Sequence, residues 1–173
     1  TDPASFDQSK VLWEVDGTDR DMGMVLSRPI ITKANNNMQV AIVSNGINST
    51  DGKPVLFVFD LATAIQVNEL TPTGPAASLT GNGLSAATGI DINVDGKVDW
   101  VYAGDLKGNI WKYDLRNVNP GSWVVDFSGT PLYSAVDPVD ANKSQPITGG
   151  IAIAFDAAFN PWIYFGTGSY LTS

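Results

Sequence analysis

Two stretches of sequence decide the fold of this chain: Val98-Asp-Trp-Val-Tyr-Ala-Gly104 and Asn109-Ile-Trp-Lys-Tyr-Asp-Leu115. Both are rich in β-branched and aromatic residues, which favour β-strands. The four residues between them, Asp105-Leu-Lys-Gly108, contain a glycine, as short connections between antiparallel strands commonly do. The sequence therefore predicts a pair of antiparallel strands in the middle of the chain.

Similar runs occur in three units along the chain, and this repeat sets the architecture. The units begin at three nearly evenly spaced serines, Ser27, Ser85 and Ser144. The first unit closes with Phe59-Asp-Leu61 and the second closes with Tyr113-Asp-Leu115. Several short antiparallel strands in each repeat, with a recurrent closing Asp, are typical of the blades of a β-propeller.

We therefore predict an all-β fold, a partial β-propeller of about three blades of antiparallel strands. Residues 1–173 are expected to form a single domain. The blade-like units are expected near residues 11–70, 84–127 and 130–173. Segments 65–70 and 123–127 are predicted to supply outer strands. Because a propeller typically closes with about four to eight blades, the chain is expected to be a piece of a larger propeller.

The composition agrees with this prediction and excludes several functions. Only two of the 18 acidic residues are Glu, and the chain has 17 Gly and 10 Pro, which favours turns over helices. The net charge of −8 argues against binding nucleic acid, whose phosphates require Lys and Arg clusters. The chain has no His and no Cys, which excludes thiol catalysis, disulfides, zinc sites of the Cys/His type and His-dependent triads. No apolar run approaches the roughly 20 residues of a membrane span.

The loop before the central strand carries the most chemical information. Asp91-Ile-Asn-Val-Asp-Gly-Lys-Val-Asp99 places side-chain oxygens at loop positions 1, 3, 5 and 9, with a glycine at position 6. Calcium takes about six to eight oxygen ligands, and alternate residues of such a loop can face one ion. The sequence thus predicts a Ca²⁺ site. Its predicted ligands are the side chains of Asp91, Asn93, Asp95 and Asp99 and the backbone carbonyl of Lys97.

The match to an EF-hand loop is partial. An EF-hand carries a Glu at position 12 and lies between helices, whereas position 12 here is Tyr102, in a stretch that is predicted to be a strand. The predicted site is therefore a calcium loop between two β-strands. The simpler interpretation is a turn with solvated carboxylates. We favour the metal because three close carboxylates repel one another unless a cation neutralises them.

The same residues resemble the PilY1/PilC family of type IV pilus-associated proteins. The resemblance rests on Gly83-Leu-Ser-Ala86, on the calcium loop and on the stretch from Asp99 to Leu115, and it extends over roughly Leu12 to Leu171. It implies a propeller whose calcium site maps onto Asp91, Asn93, Asp95, Lys97 and Asp99.

The resemblance also implies a bacterial, extracellular location at the pilus tip or on the outer membrane. It implies a role in pilus biogenesis, in which pilus extension is promoted against retraction, with contributions to adhesion and twitching motility. The implied partners are pilus subunits or the pilus machinery, and a host or abiotic surface. No catalytic residue and no enzymatic activity are expected.

The sequence leaves two alternatives open. Residues 103–115 also resemble the tryptophan-docking motif of quinoprotein dehydrogenases, whose propellers bind pyrroloquinoline quinone with calcium. In both interpretations we expect Trp111 to pack between blades, and Asp105 and Asp114 to fix turns. The other alternative is a structural module that self-associates, because the open edges of blades can pair with further strands.

Overall fold

The fold of the chain is all-β. The computed structural model describes residues 7–76 and 80–168. Within these residues, the strands form three sheets in which every pair of neighbouring strands is antiparallel. The helical content of the described residues is limited to 3₁₀ turns at Gln8–Lys10, Pro120–Ser122 and Phe127–Gly129. The prediction of an all-β fold of antiparallel strands is thus confirmed.

The first sheet is a four-stranded meander in which each strand pairs with the next along the chain. Its fourth strand, Gln66–Leu70, confirms the outer strand predicted for residues 65–70, and a turn precedes it. Asp60 fixes this turn, because its Oδ1 accepts hydrogen bonds from the backbone N–H groups of Ala62 and Thr63 at 3.0 and 2.9 Å. The strands are β1 (Ile30–Lys33), β2 (Gln39–Ser44), β3 (Leu56–Asp60) and β4 (Gln66–Leu70).

The second sheet contains the two stretches that predicted the fold, now β6 and β7, with Trp100 opposite Asp114 and Gly104 opposite Ile110. Its strands are β5 (Thr88–Ile90), β6 (Trp100–Gly104), β7 (Asn109–Asp114), β8 (Val124–Val125) and β9 (Tyr133–Ser134). The outer strand β8 is shorter than predicted, because Asp126 caps the 3₁₀ turn Phe127–Gly129. Strand β9 pairs with β7, although sequence reasoning placed residues from 130 onward in the third unit.

The third sheet has two strands within the described residues, β10 (Ala152–Phe155) and β11 (Pro161–Tyr164). The ends of the predicted first and third units, residues 1–6 and 169–173, lie outside the described residues, as do residues 77–79. The extent of the single domain and of its three units therefore stays a prediction.

The sheets stack face to face with apolar cores between them. One buried cluster joins the first and second sheets, with Val40, Ile42 and Leu56 on one side and Val101 and Trp111 on the other. A second cluster joins the second and third sheets, and β6 contributes Tyr102 to it. Strand β6 thus sends alternate residues to opposite faces, as a strand covered on both sides must. Small antiparallel sheets joined through apolar cores are the arrangement of propeller blades.

Gly83 lies against the backbone of Gly46, just before the second sheet begins. A Cβ atom at this position would lie 2.0 Å from the backbone oxygen of Gly46. We expect Gly83→Ala to lower the free energy of unfolding by at least about 2 kcal/mol, because backbone atoms must shift to admit the methyl group. Gly149→Ala is the control, since nothing lies within 4 Å of its added Cβ. Equal midpoints of urea unfolding for the two variants would contradict this account of the junction.

Two buried tyrosines predict how stability depends on alkaline pH. Burial raises the pKa of Tyr102 to about 12 and raises the pKa of Tyr113 well above its ordinary value. Unfolded tyrosines titrate near pH 10. The contribution of the two neutral tyrosines to the free energy of unfolding is therefore complete below about pH 10, and it is lost as the pH rises toward their pKa values in the folded protein. We expect alkaline unfolding and the phenolate absorbance of these two residues to appear together. Titration of both tyrosines near pH 10 in the folded protein would contradict the raised pKa values.

Candidate metal centre

The predicted calcium loop connects β5 to β6, directly after the pair formed by Ile90 and Trp100. Two of its residues have left-handed backbone conformations, Val94 with φ 60° and Gly96 with φ 83°. The glycine accepts this conformation readily, but a β-branched valine does so only at a cost. The fold therefore imposes this loop shape, and the hydrogen bonds of the loop must compensate for it.

The first half of the loop is closed by side-chain oxygens that accept from its own backbone. Asp91 Oδ1 lies 3.1 Å from the Asp95 nitrogen, and Asn93 Oδ1 lies 3.0 Å from the same nitrogen. Asp91 Oδ2 accepts from the Gly96 N–H at 2.6 Å. The oxygens of Asp91 and Asn93 are thus brought together around one N–H group, on the inner side of the loop.

The second half of the loop contains an ion pair. The Oδ1 atom of Asp95 accepts from the Lys97 N–H at 3.0 Å, and its Oδ2 lies 3.3 Å from Lys97 Nζ. The ammonium group of Lys97 therefore partly neutralises Asp95. A cleft of roughly 250 Å³ runs between this loop and β1, and it is lined by Asp91, Gly96 and Lys97 on the loop side. The loop is thus open to solvent.

Asp99 differs from the other predicted ligands because it is buried, with 1% of its surface exposed. Its Oδ2 accepts from the Ile92 N–H at 2.9 Å, and its Oδ1 has a long contact of 3.4 Å from Asn35 Nδ2. No Lys or Arg of residues 7–76 and 80–168 forms an ion pair with it. The Arg116 guanidinium attracts this carboxylate at longer range, but a buried carboxylate without a direct ion pair is still costly.

The structure thus places all five predicted ligand residues on one loop but does not gather their carboxylates into a ready-made cluster. Within the described part of the chain, no group of three or more Asp, Glu, His or Cys side chains is arranged to hold a metal ion. The carboxylates are not gathered because the loop oxygens accept hydrogen bonds from backbone N–H groups and Asp95 forms an ion pair with Lys97. The donor set itself, oxygen atoms with three carboxylates, fits a hard cation such as calcium.

Trp111 is not available to a bound cofactor. Its ring is fully buried between the first two sheets, and its Nε1 donates to Asp105 Oδ2 at 2.8 Å. Asp105 also closes the turn between β6 and β7, where its Oδ1 accepts from the N–H groups of Lys107 and Asn109. Asp114 Oδ1 accepts from the Arg116 N–H at 3.0 Å. The predicted structural roles of Trp111, Asp105 and Asp114 are confirmed, and the quinone alternative gains no support from this motif.

Sequence reasoning missed one residue at this site, Asn35. It lies in the turn between β1 and β2 of the first sheet and reaches Asp99 of the second sheet. The run Asn35-Asn-Asn37 indicates only a turn, and no local pattern in the sequence shows that its first side chain faces another blade.

The sheets and the loop together define a class of protein: a partial β-propeller that carries an oxygen-rich, acidic loop on one blade. The PilY1 beta-propeller domain model matches residues 8–173. The chain belongs to this family.

Individual relatives agree with the family assignment. The chain is 37% identical to a type IV pilus biogenesis factor PilY1 homolog of Xylella fastidiosa, over 100% of this chain and 12% of that protein. It is 35% identical to the type IV pilus biogenesis factor PilY1 of Pseudomonas aeruginosa strain PAO1, over 98% of this chain and 16% of that protein. The chain therefore spans less than a fifth of the length of these relatives, which are named for pilus biogenesis and not for an enzymatic activity.

A solved structure agrees as well. The crystal structure of the Pseudomonas aeruginosa PilY1 C-terminal domain superimposes with a TM-score of 0.83 and 32% sequence identity, over 93% of this chain and 36% of that one. The prediction of a partial propeller of the PilY1 family is confirmed. In the described part of the chain, no helix is long and apolar enough to cross a membrane. Self-association through open blade edges stays a prediction.

Proposed function

We propose that the loop from Asp91 to Asp99 binds one calcium ion. The proposal rests on the surroundings of Asp99. Its carboxylate is buried, accepts hydrogen bonds from only two donors, one of them at 3.4 Å, and forms no ion pair among the described residues. Asp105 provides the contrast, because it is equally buried but accepts hydrogen bonds from five donors. The residues that would hold the metal are Asp91, Asn93, Asp95, the Lys97 carbonyl and Asp99.

A bound calcium ion would supply positive charge among three carboxylates. The proposed ligands differ in how far their present contacts fit a bound ion. Asp91 and Asn93 already point inward, where they hold the strained backbone around Val94. Asp95 must exchange its ion pair with Lys97 for the metal. The backbone of Asp99 is held just before β6, where its N–H donates to the Ile90 carbonyl at 2.8 Å.

We further propose that the protein containing this propeller segment acts in type IV pilus biogenesis at the bacterial cell surface, in a role that is not enzymatic. The support is its membership of the PilY1 family and the names of its relatives. Its proposed partners are pilus subunits or the pilus machinery, with a host or abiotic surface as the target of adhesion. Metal binding stabilises the ordered loop and shifts the population toward it. We propose that this ordered loop presents a surface that pilus subunits or the pilus machinery recognise, so that calcium occupancy favours pilus extension over retraction and affects twitching motility.

The cellular test uses the full-length protein in the bacterium that carries it. We expect a variant with Asp91→Ala and Asp95→Ala to lose the effect of calcium on the number of surface pili and on the width of twitching zones. Asp140→Ala is the control, since it removes a negative charge from an exposed loop elsewhere. Pili that respond to calcium equally in all strains would contradict a regulatory role for this loop.

A further inference from the structure

The proposed calcium loop, residues 91–99, lies against the turn between β1 and β2 of the first sheet. The Val98 N–H donates to the Lys33 carbonyl at 2.9 Å, which joins the two sheets by their backbones. Beside this bond, Asn35 Nδ2 lies 2.9 Å from the Val98 oxygen and 3.3 Å from the Leu115 oxygen. It also lies 3.4 Å from Asp99 Oδ1. One amide group therefore reaches three acceptors on the neighbouring blade.

The turn that carries Asn35 is held in place by its own hydrogen bonds. The Ala34 N–H donates to the Met38 oxygen and the Asn37 N–H donates to the Ala34 oxygen, both at 2.8 Å. Asn36 Oδ1 accepts from the Met38 N–H at 3.1 Å. Asn37 adopts a left-handed conformation with φ 67°, which asparagine tolerates better than most residues. The side chain of Asn35 thus projects from a fixed support.

Asp99 depends on this side chain more than the other proposed ligands do. The hydrogen bonds of Asp91 and Asn93 described above run to backbone N–H groups inside the loop. The carboxylate of Asp99 has one donor inside the loop, Ile92, and one donor from another blade, Asn35. Its orientation is therefore set jointly by the loop and by the first sheet.

We propose that Asn35 is a positioning residue for the calcium site and that it couples calcium binding to the junction between the first two blades. This inference rests on the proposed function. Neighbours of metal ligands that fix ligand orientation typically contribute about 10–100-fold to affinity. Coupling between two sites is reciprocal, so a junction that strengthens calcium binding is itself strengthened by calcium.

The alternative is that Asn35 only holds the two sheets together and does not affect the calcium site. The Nδ2 group has two N–H donors for three acceptors, and the oxygens of Val98 and Leu115 alone would occupy both donors. In that case, removing the amide would weaken the junction but leave calcium affinity unchanged. Calcium affinity and the effect of calcium on the turn at residues 34–38 therefore distinguish the two roles.

The test compares the wild-type chain with Asn35→Ala and Asn36→Ala, each freed of metal and titrated with calcium chloride in a calorimeter. Asn36→Ala is the matched control, because it removes the same side chain from the same turn, where Asn36 serves the Met38 N–H. We expect Asn35→Ala to bind calcium at least about 10-fold more weakly and Asn36→Ala to bind as the wild type does. Asn35→Ser, whose shorter side chain does not reach Asp99, replaces Asn35→Ala if that variant does not fold.

Amide hydrogen exchange provides the second readout. In the wild type, calcium should slow exchange of the Ala34 and Asn37 amides in the first blade, and this effect should disappear in Asn35→Ala. Unchanged affinity in Asn35→Ala, with calcium still protecting the turn, would overturn the positioning role and leave the calcium site intact. A wild-type chain that binds no calcium would instead overturn the proposed site, and this inference with it.

Discussion

Replacing Asp105 with alanine is expected to lower the free energy of unfolding by about 4 kcal/mol or more. The carboxylate is fully buried between β6 and β7. Its removal leaves the Nε1 of Trp111 and the side-chain amides of Asn82 and Asn109 without their acceptor. Buried donors without partners each cost about 1–3 kcal/mol. Urea unfolding followed by tryptophan fluorescence measures the change.

The chain contains its own control for this prediction. Asp156, Asn160 and Trp162 repeat the spacing of Asp105, Asn109 and Trp111, and Asp156 accepts from the same kinds of donor. This second set lies near the surface, with Trp162 57% exposed, so water can replace the lost acceptor. Asp156→Ala should therefore be far less destabilising than Asp105→Ala. Similar losses for the two variants would show that burial is not what makes Asp105 important.

The second large effect is expected for Asp91→Ala, which should lower calcium affinity by at least about 100-fold because it removes a charged ligand. Calcium at about 100 times the wild-type dissociation constant should stabilise the wild type by about 2.7 kcal/mol, which raises its unfolding temperature by about 5–10 °C. The same calcium concentration should raise the unfolding temperature of Asp91→Ala by only about 1 °C. Differential scanning calorimetry of each variant with and without calcium gives these shifts.

Asp140→Ala is the matched control for Asp91→Ala, since it removes one negative charge from an exposed loop outside the site. It should retain the full calcium-dependent shift. An equal loss in this control would mean that calcium acts on the net charge of −8 and not at the loop.

The strands and the loop could be predicted from local patterns. Strands β6 and β7 follow from runs of β-branched and aromatic residues, and the spacing of oxygen-bearing residues from Asp91 to Asp99 marks the loop. The short strand β8 could not be placed as well, because the cap formed by Asp126 ends it early. Local sequence reveals capping residues but not which of several competing turns will form.

Burial and contacts between blades could not be read from local patterns. The spacing of Asp, Asn and Trp is the same at Asp105 and at Asp156, yet only the first set is buried, because the first sheet covers it. Asn35 contacts residues that lie 63 to 80 positions away in sequence. Such contacts depend on how the blades stack, and a single sequence gives no register between sheets.

Calorimetric titration of the demetallated wild-type chain tests whether the loop from Asp91 to Asp99 holds one calcium ion. We expect one saturable site for calcium, with much weaker binding of magnesium because magnesium requires a smaller and more regular set of ligands. A titration that shows no heat of calcium binding, together with an unfolding temperature that calcium does not change, would contradict it.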